Sequence, residues 1–147
     1  MREIRQGRFA ELDGATVFGI VRLRQDVFVV EQHCAYPDLD DNDTDPATVH
    51  FWAGDGAAPV ACLRLLRDPE GRRIGRVCCT PSERGQGLSG KLLTAALQEA
   101  GPEVEIVLDS QTYAAGFYRR FGFVEDGEEF LEDGILHVPM RRAGKRD

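Results

Sequence analysis

Arg84-Gly85-Gln86-Gly87-Leu88-Ser89-Gly90-Lys91 sets three glycines within six residues, between an apolar strand-like run (Ile74 to Cys79) and an apolar-periodic helix (Leu88 to Ala100). Glycines let a backbone come close to a ligand, and the start of the following helix offers unpaired N–H groups and a partial positive charge. The chemistry this suits is capture of a phosphate or pyrophosphate. Read from Gly85 the string is G-x-x-x-x-G-K, near the nucleotide-triphosphate loop, and Val104 to Asp109 supplies a strand ending in an aspartate. The next position is Leu92, where that loop needs a Ser or Thr hydroxyl on magnesium. The chain beyond Gly90 is also too short for several more βαβ units of about 30 residues each. A nucleotide hydrolase is therefore the weakest of the function classes, to be revived only by magnesium-dependent ATP binding.

Read from Arg84 the string is R-G-x-G-x-S-G, preceded by Val77-Cys78-Cys79-Thr80-Pro81. This resembles the acyl-CoA loop of the GCN5-related N-acetyltransferase (GNAT) family, in which an R/Q-x-x-G-x-G/A turn joins a strand to a helix. Arg84 and Gly87 match. Ser89 stands where Gly or Ala is usual, though its N–H can still serve, and Gly90 keeps the next turn open. A second block, Gln111-x-x-Ala114-x-x-Phe117-Tyr118-x-x-Phe121-Gly122-Phe123, is similar to the family's late helix, with Gln111 in place of an Asn. At helical spacing Gln111, Ala114, Ala115 and Tyr118 share one face, with small residues beside the phenol. Arg24-x-x-Val27-Phe28-Val29-Val30-Glu31-Gln32-x-Cys34-x-Tyr36, then Asp40 and His50, resembles the ElaA-like branch, and Glu132-Asp133-Gly134-Ile135-x-His137-Val138-x-Met140 fits it too.

The resemblance implies an α+β fold: a mostly antiparallel central sheet of about six or seven strands, flanked by helices. The sheet would splay between the Ile74 and Val104 strands. Acetyl-CoA would be the cosubstrate, with no metal. The strand Val77, Cys78 and Cys79 would hold the pantetheine arm through backbone groups, principally those of Val77 and Cys79. Arg84 and the loop Gly85, Gln86, Gly87, Leu88, Ser89 and Gly90 would hold the pyrophosphate, with Gln111 and Tyr118 also at the cofactor. The implied chemistry is attack of a neutral amine on the thioester in a ternary complex, with an N–H of the Val77 to Cys79 strand stabilising the oxyanion and Tyr118 protonating the sulfur. Glu31, at the end of the first helix, leads the choices for the base, with His50, His137 and a water relay left open. The runner-up class is a non-catalytic acyl-CoA-binding module of the same fold, since fold alone does not fix function.

Composition agrees with one small enzyme domain over 1–147, for 147 residues, 42% hydrophobic and 29% charged, fall within the usual single-domain size. No apolar stretch marks a signal or a membrane span, so a cytoplasmic protein with no membrane partner is expected. Cys34, Cys62, Cys78 and Cys79 form no C-x-x-C pair and read as reduced packing residues. A net charge of −7 argues against a nucleic-acid surface. Arg73, Arg76, Arg84, Lys91, Arg119 and Arg120 gather around the two motif blocks and favour an anionic cofactor, while residues 141–147 read as a frayed basic tail. The run from Asp38 to Asp45 fails as a calcium loop, with Asp43 at the sixth position and Val49 at the twelfth. It reads as a solvated acidic loop that could draw a cationic amine to the acceptor side. A C-terminal edge strand offers a route to a homodimer. The identity of the amine, small molecule or peptide, is not written in the sequence.

Periodicity predicts the order β-α-β-β-β-α-β-α-β-β: a strand near Arg8 to Leu12, a helix from Gly14 to Gln32, strands at Val49 to Ala53, Val60 to Arg67 and Ile74 to Cys79, the loop and its helix, a strand at Val104 to Leu108, a helix from Gln111 to Arg120, a strand near Phe123 and a last one at Leu136 to Met140. The first helix's apolar stripe (Val17, Ile20, Val21, Val27, Phe28) carries Arg24 and Glu31, and charges facing inward must be paired or border a cleft.

Overall fold

The computed structural model describes residues 2–55 and 57–145. Its elements are β1 (Ile4–Arg8), α1 (Gly14–Arg24), β2 (Val49–Asp55), β3 (Ala58–Asp68), β4 (Gly71–Cys79), α2 (Leu88–Ala100), β5 (Ile106–Gln111), α3 (Ala115–Arg119), β6 (Val124–Glu125), β7 (Phe130–Glu132) and β8 (Ile135–Arg142). The strands form one eight-stranded sheet in the order β1-β2-β3-β4-β5-β8-β6, with β7 also on β8. All neighbours are antiparallel except β4 and β5. The strand beyond expectation is β7, joined to β8 by Asp133-Gly134, both with positive φ, a dipeptide suited to a two-residue hairpin.

Alternation divides the core in two. Phe51, Leu63, Leu65, Ile74, Ile106, Leu108, Val138 and Met140 face α2 and α3, whereas Trp52, Cys62 and Cys78 face Ile20 and Leu23 of α1 and Val27 just beyond it. Val17 and Val21, expected on the inward stripe of α1, are only half-buried and line a shallow cavity of about 190 Å³ beside Phe9 and Leu39. The four cysteines are free and buried.

The helix expected to run to Gln32 stays α only to Arg24. Over Gln25–Glu31 it widens into a π-helix, with the Gln32 N–H donating to the Val27 carbonyl. Val27, Val29 and Val30 explain part of this, because β-branched side chains crowd a regular α turn. The late helix also starts differently: β5 continues through Gln111, a 3-10 turn spans Thr112–Ala114, and α3 begins at Ala115. Arg141 and Arg142 belong to β8. Arg141 is ion-paired to Glu105 and Asp126, so they are not frayed, while Arg146 and Asp147 of the expected tail lie outside the described residues.

Strands β4 and β5 are joined only at Arg72↔Ile106 and Arg73↔Val107, with the Arg72 N–H donating to the Glu105 carbonyl at 2.9 Å. Beyond Arg73 they part. A Cβ on Gly71 would lie 2.1 Å from the Glu105 carbonyl oxygen, a backbone atom that cannot rotate away. Gly71→Ala is therefore expected to destabilise the fold by about 1–3 kcal/mol, the scale of overpacking, read as a lower urea midpoint. An unchanged midpoint would mean that this junction yields freely.

Candidate active site

The parting of β4 from β5 leaves one edge of β4 without a strand partner. Thr80 N–H donates to the Val60 carbonyl, and in an antiparallel ladder hydrogen-bonded pairs alternate. Cys78, opposite Cys62, therefore turns its backbone to β3, while Val77 and Cys79 turn theirs to the gap. This corrects the grouping of Cys78 with its neighbours, since its amide and carbonyl are committed to the sheet. The Cys79 carbonyl accepts from Arg84 Nε at 2.9 Å, and the Cys79 N–H and both Val77 groups face the gap with no partner among the described residues.

At the end of β4 the loop reaches α2. Gly85 and Gly87 have φ of +82° and +78°, and a Cβ on either would meet nothing within 4 Å. The first α2 bond runs from the Lys91 N–H to the Gly87 carbonyl, and no side chain caps the helix, so the amides of Gly85, Gln86, Gly87, Leu88, Ser89 and Gly90 have no protein acceptor among the described residues. Six free amides at a helix start fit an anionic group. Gly90 has a further role, for a Cβ there would lie 3.4 Å from the Phe121 ring. Leu92 is fully buried, so its side chain points away from the loop and into the core.

Tyr118 lies in the α2-side core, its ring edge-on to Phe117 (5.0 Å) and Phe123 (6.1 Å). The residue is 8% exposed, and its hydroxyl has no protein partner among the described residues, yet it is not one of the sealed unpartnered atoms, which are Trp52 Nε1 and Arg64 Nε. Burial, with Tyr113 nearby, pushes the phenol above its ordinary value, so it stays protonated at neutral pH. Gln111 does not share a helix face with it. The residue ends β5 on the opposite side of the sheet and donates to Gln32 Oε1 at 3.3 Å.

Glu31 is held by the arginine that opens the glycine loop: Arg84 donates from both terminal nitrogens to both carboxylate oxygens, at 2.8 and 2.7 Å. This hydrogen bonding holds the carboxyl below its usual range, which weakens it as a base. The chain then crosses the gap. Gln32 meets Gln111, the Cys34 thiol lies 3.5 Å from the Asp133 carbonyl, and Tyr36 donates to Asp38 at 3.2 Å. Segment 31–36 thus ties the glycine loop, the end of β5 and the β7–β8 turn together on the α1 side.

The acidic run is exposed at Asp41 and Asn42, but Asp38, Asp40 and Asp43 are held by arginines. Arg24, 2% exposed, donates to Asp38 (2.9 Å) and Asp43 (2.6 Å), and Arg64 donates to Asp40 (2.7 Å) and Asp43 (2.9 Å). Arg76 reaches the carboxylate (3.0 Å) and the carbonyl (3.0 Å) of Asp38 and lies over the Tyr36 ring. Three guanidinium groups thus face three of the run's carboxylates, while Asp41 is exposed. The network holds a bulge. Arg76 has φ +52°, at the register shift between Cys62 and Arg64, and such a conformation costs about 1–3 kcal/mol that its anchoring to Asp38 offsets. The bulge sits where β4 turns Val77 to the gap. Only Arg24's need for a partner was legible in sequence; the arginines of β3 and β4 were not.

The chain is similar to known proteins in sequence and fold. Residues 25–143 match the family model described as an acetyltransferase (GNAT) domain. The chain belongs to the GNAT family. A UPF0039 protein of Mycobacterium tuberculosis is 46% identical over 91% of this chain and 88% of its own. An acyl-CoA N-acyltransferase from Pseudomonas aeruginosa superposes with a TM-score of 0.90 at 37% identity, covering 97% of this chain and 100% of that one. Escherichia coli ElaA also superposes at 0.90, with 31% identity over 97% and 99% of the two chains. Within the GNAT family, the ElaA-like branch is the one these likenesses select.

Proposed function

We propose that the protein moves the acetyl group of acetyl-CoA to a primary amine, by direct attack in a ternary complex. The observation that carries this reading is the unpaired edge of β4, with Val77 and Cys79 facing the gap, ending beside six free amides at the start of α2. That edge suits an extended arm bound like an added strand, and the amides suit a pyrophosphate. When bound, acetyl-CoA supplies the thioester carbonyl. The Val77 or Cys79 N–H is positioned to donate to oxygen charge developing in the gap, and the Tyr118 hydroxyl to donate to the departing sulfur. Arg84 plays two parts, bracing the loop through the Cys79 carbonyl and the acceptor side through Glu31.

Calorimetric titration of acetyl-CoA, with magnesium-ATP in parallel, tests the reading. Micromolar binding of acetyl-CoA, no binding of ATP, and thiol release on adding primary amines are expected. Binding of ATP alone would overturn the proposal, and tight acetyl-CoA binding with no release across broad amine panels would favour a non-catalytic module.

A further inference from the structure

We infer that His137 is the general base that takes the proton of the acceptor amine, with Glu132 as the carboxylate that receives the resulting imidazolium; the assignment rests on the acetyltransfer reading above. His137 on β8 is the register partner of Gln111, the last residue of β5, and of Phe130 on β7. Val138 and Met140 face the α2-side core, so His137 faces the α1 side, where Gln32 and Cys34 cross from the first helix to Gln111 and the β7–β8 turn. It therefore lies on the acceptor side of the gap, one strand from its rim.

The imidazole's hydrogen bond decides its tautomer. Nδ1 lies 2.8 Å from the Ile135 carbonyl oxygen, which can only accept, so Nδ1 carries the proton of the neutral ring. Nε2 is then left with a lone pair. Its nearest charged neighbour, Glu132 Oε2, is 3.9 Å away, too far for a hydrogen bond but close enough to attract the ring once Nε2 is protonated. Stacking on Phe130, with centroids 5.7 Å apart and planes 21° apart, fixes the ring, whose side chain is 12% exposed. The other charged groups around it are matched or outward: Asp109 on β5 is paired with Arg73, Glu31 with Arg84, and Asp133 is exposed in the turn.

The competing bases are less well placed. Both oxygens of Glu31 accept from Arg84. His50 is on β2, separated from the gap by β3 and β4, and its Nε2 is bound to the Asp43 carbonyl. In the step, the amine nitrogen forms a bond to the acetyl carbon and the C–S bond breaks with its electron pair on sulfur. His137 Nε2 takes the amine's surplus proton, and the sulfur leaves as a thiolate that accepts a hydrogen bond from the Tyr118 hydroxyl and takes its proton from solvent. Exchange with solvent then resets His137.

The test has two arms. Nitrogen-15 NMR of the histidine-labelled protein without cofactor is expected to show His137 as the Nδ1–H tautomer; an Nε2–H tautomer overturns the assignment. With acetyl-CoA and the most active amine of a primary-amine panel, His137→Gln is expected to keep acetyl-CoA affinity within a few-fold, to lower kcat/KM by about 10²-fold at neutral pH, and to abolish the rising acid limb of the pH profile. Glu132→Gln, which leaves the imidazole in place, is expected to lower kcat/KM by less than His137→Gln does and to keep acetyl-CoA affinity. A limb unchanged in His137→Gln overturns the role of His137 while leaving acetyltransfer intact. Failure of the wild-type protein to bind acetyl-CoA would instead remove the reading on which the assignment rests.

Discussion

Tyr118→Phe is expected to slow turnover by about 10²-fold while leaving acetyl-CoA affinity within a few-fold, the scale of losing a positioned acid. The substitution keeps the ring and hence the edge-on contacts with Phe117 and Phe123, so the α2-side core has no reason to collapse. What disappears is a hydroxyl with no protein partner among the described residues and some access to solvent. Burial raises the phenol's pKa, which makes complete proton transfer to a thiolate of ordinary pKa about 8.5 uphill. Its contribution is then best understood as a hydrogen bond that strengthens as negative charge develops on sulfur, and a 10²-fold loss corresponds to about 2.7 kcal/mol of transition-state stabilisation. Calorimetry of acetyl-CoA with the variant, set beside single-turnover thiol release, separates binding from chemistry. Unchanged release would take Tyr118 out of the mechanism.

The parts of this site that depend on local rules were legible in the sequence. The α2 start and the glycine loop each follow from backbone preferences written within a few residues. Arg24 was legible as a debt, a charge on an inward face that had to be matched, but its partners were not. Asp38 and Asp43 follow it at 14 and 19 positions, and the loop carrying them is fixed by arginines on β3 and β4 that no periodicity links to it. Helical spacing groups Gln111 with Tyr118, whereas Gln111 ends a strand, β5, that pairs it with His137 of β8. The missed hairpin did leave a signal in Asp133-Gly134, obscured by the short, acidic and exposed strand β7 preceding it. Register thus brings Gln111 and His137 together on the α1 side of the sheet, a relation open only to the folded chain.

Replacing Arg24 with methionine is expected to cost about 3 kcal/mol at pH 7, because the change keeps much of the side chain's bulk and leaves Asp38 and Asp43 with one guanidinium each, Arg76 and Arg64, where water cannot solvate them well. The pH dependence separates this cause from simple loss of packing. Burial pushes the Asp43 carboxyl up, but the hydrogen bond and charge of Arg24, the charge of Arg64 and the Asp40 amide outweigh it and bring its pKa to about 2. An unfolded aspartate titrates near about 3.9, so the wild-type contribution is fully present above that value and is lost as pH falls through about 2. In the variant Asp43 keeps its burial and loses the first of the contributions that lower its pKa. Its folded pKa moves up, and acidification then relieves the stranded charge. Urea unfolding of both proteins at pH 7, 5 and 4 should show a gap that narrows toward pH 4. Adding Asp43→Asn to the variant should recover part of the loss at pH 7, since the neutral amide no longer needs the guanidinium. A gap independent of pH, with no recovery in the double variant, would assign the loss to packing around α1 alone. The electrostatic outcome would make Arg24 the keystone of the arrangement that holds Asp38 against Arg76, and through that contact the bulge that turns β4 away from β5.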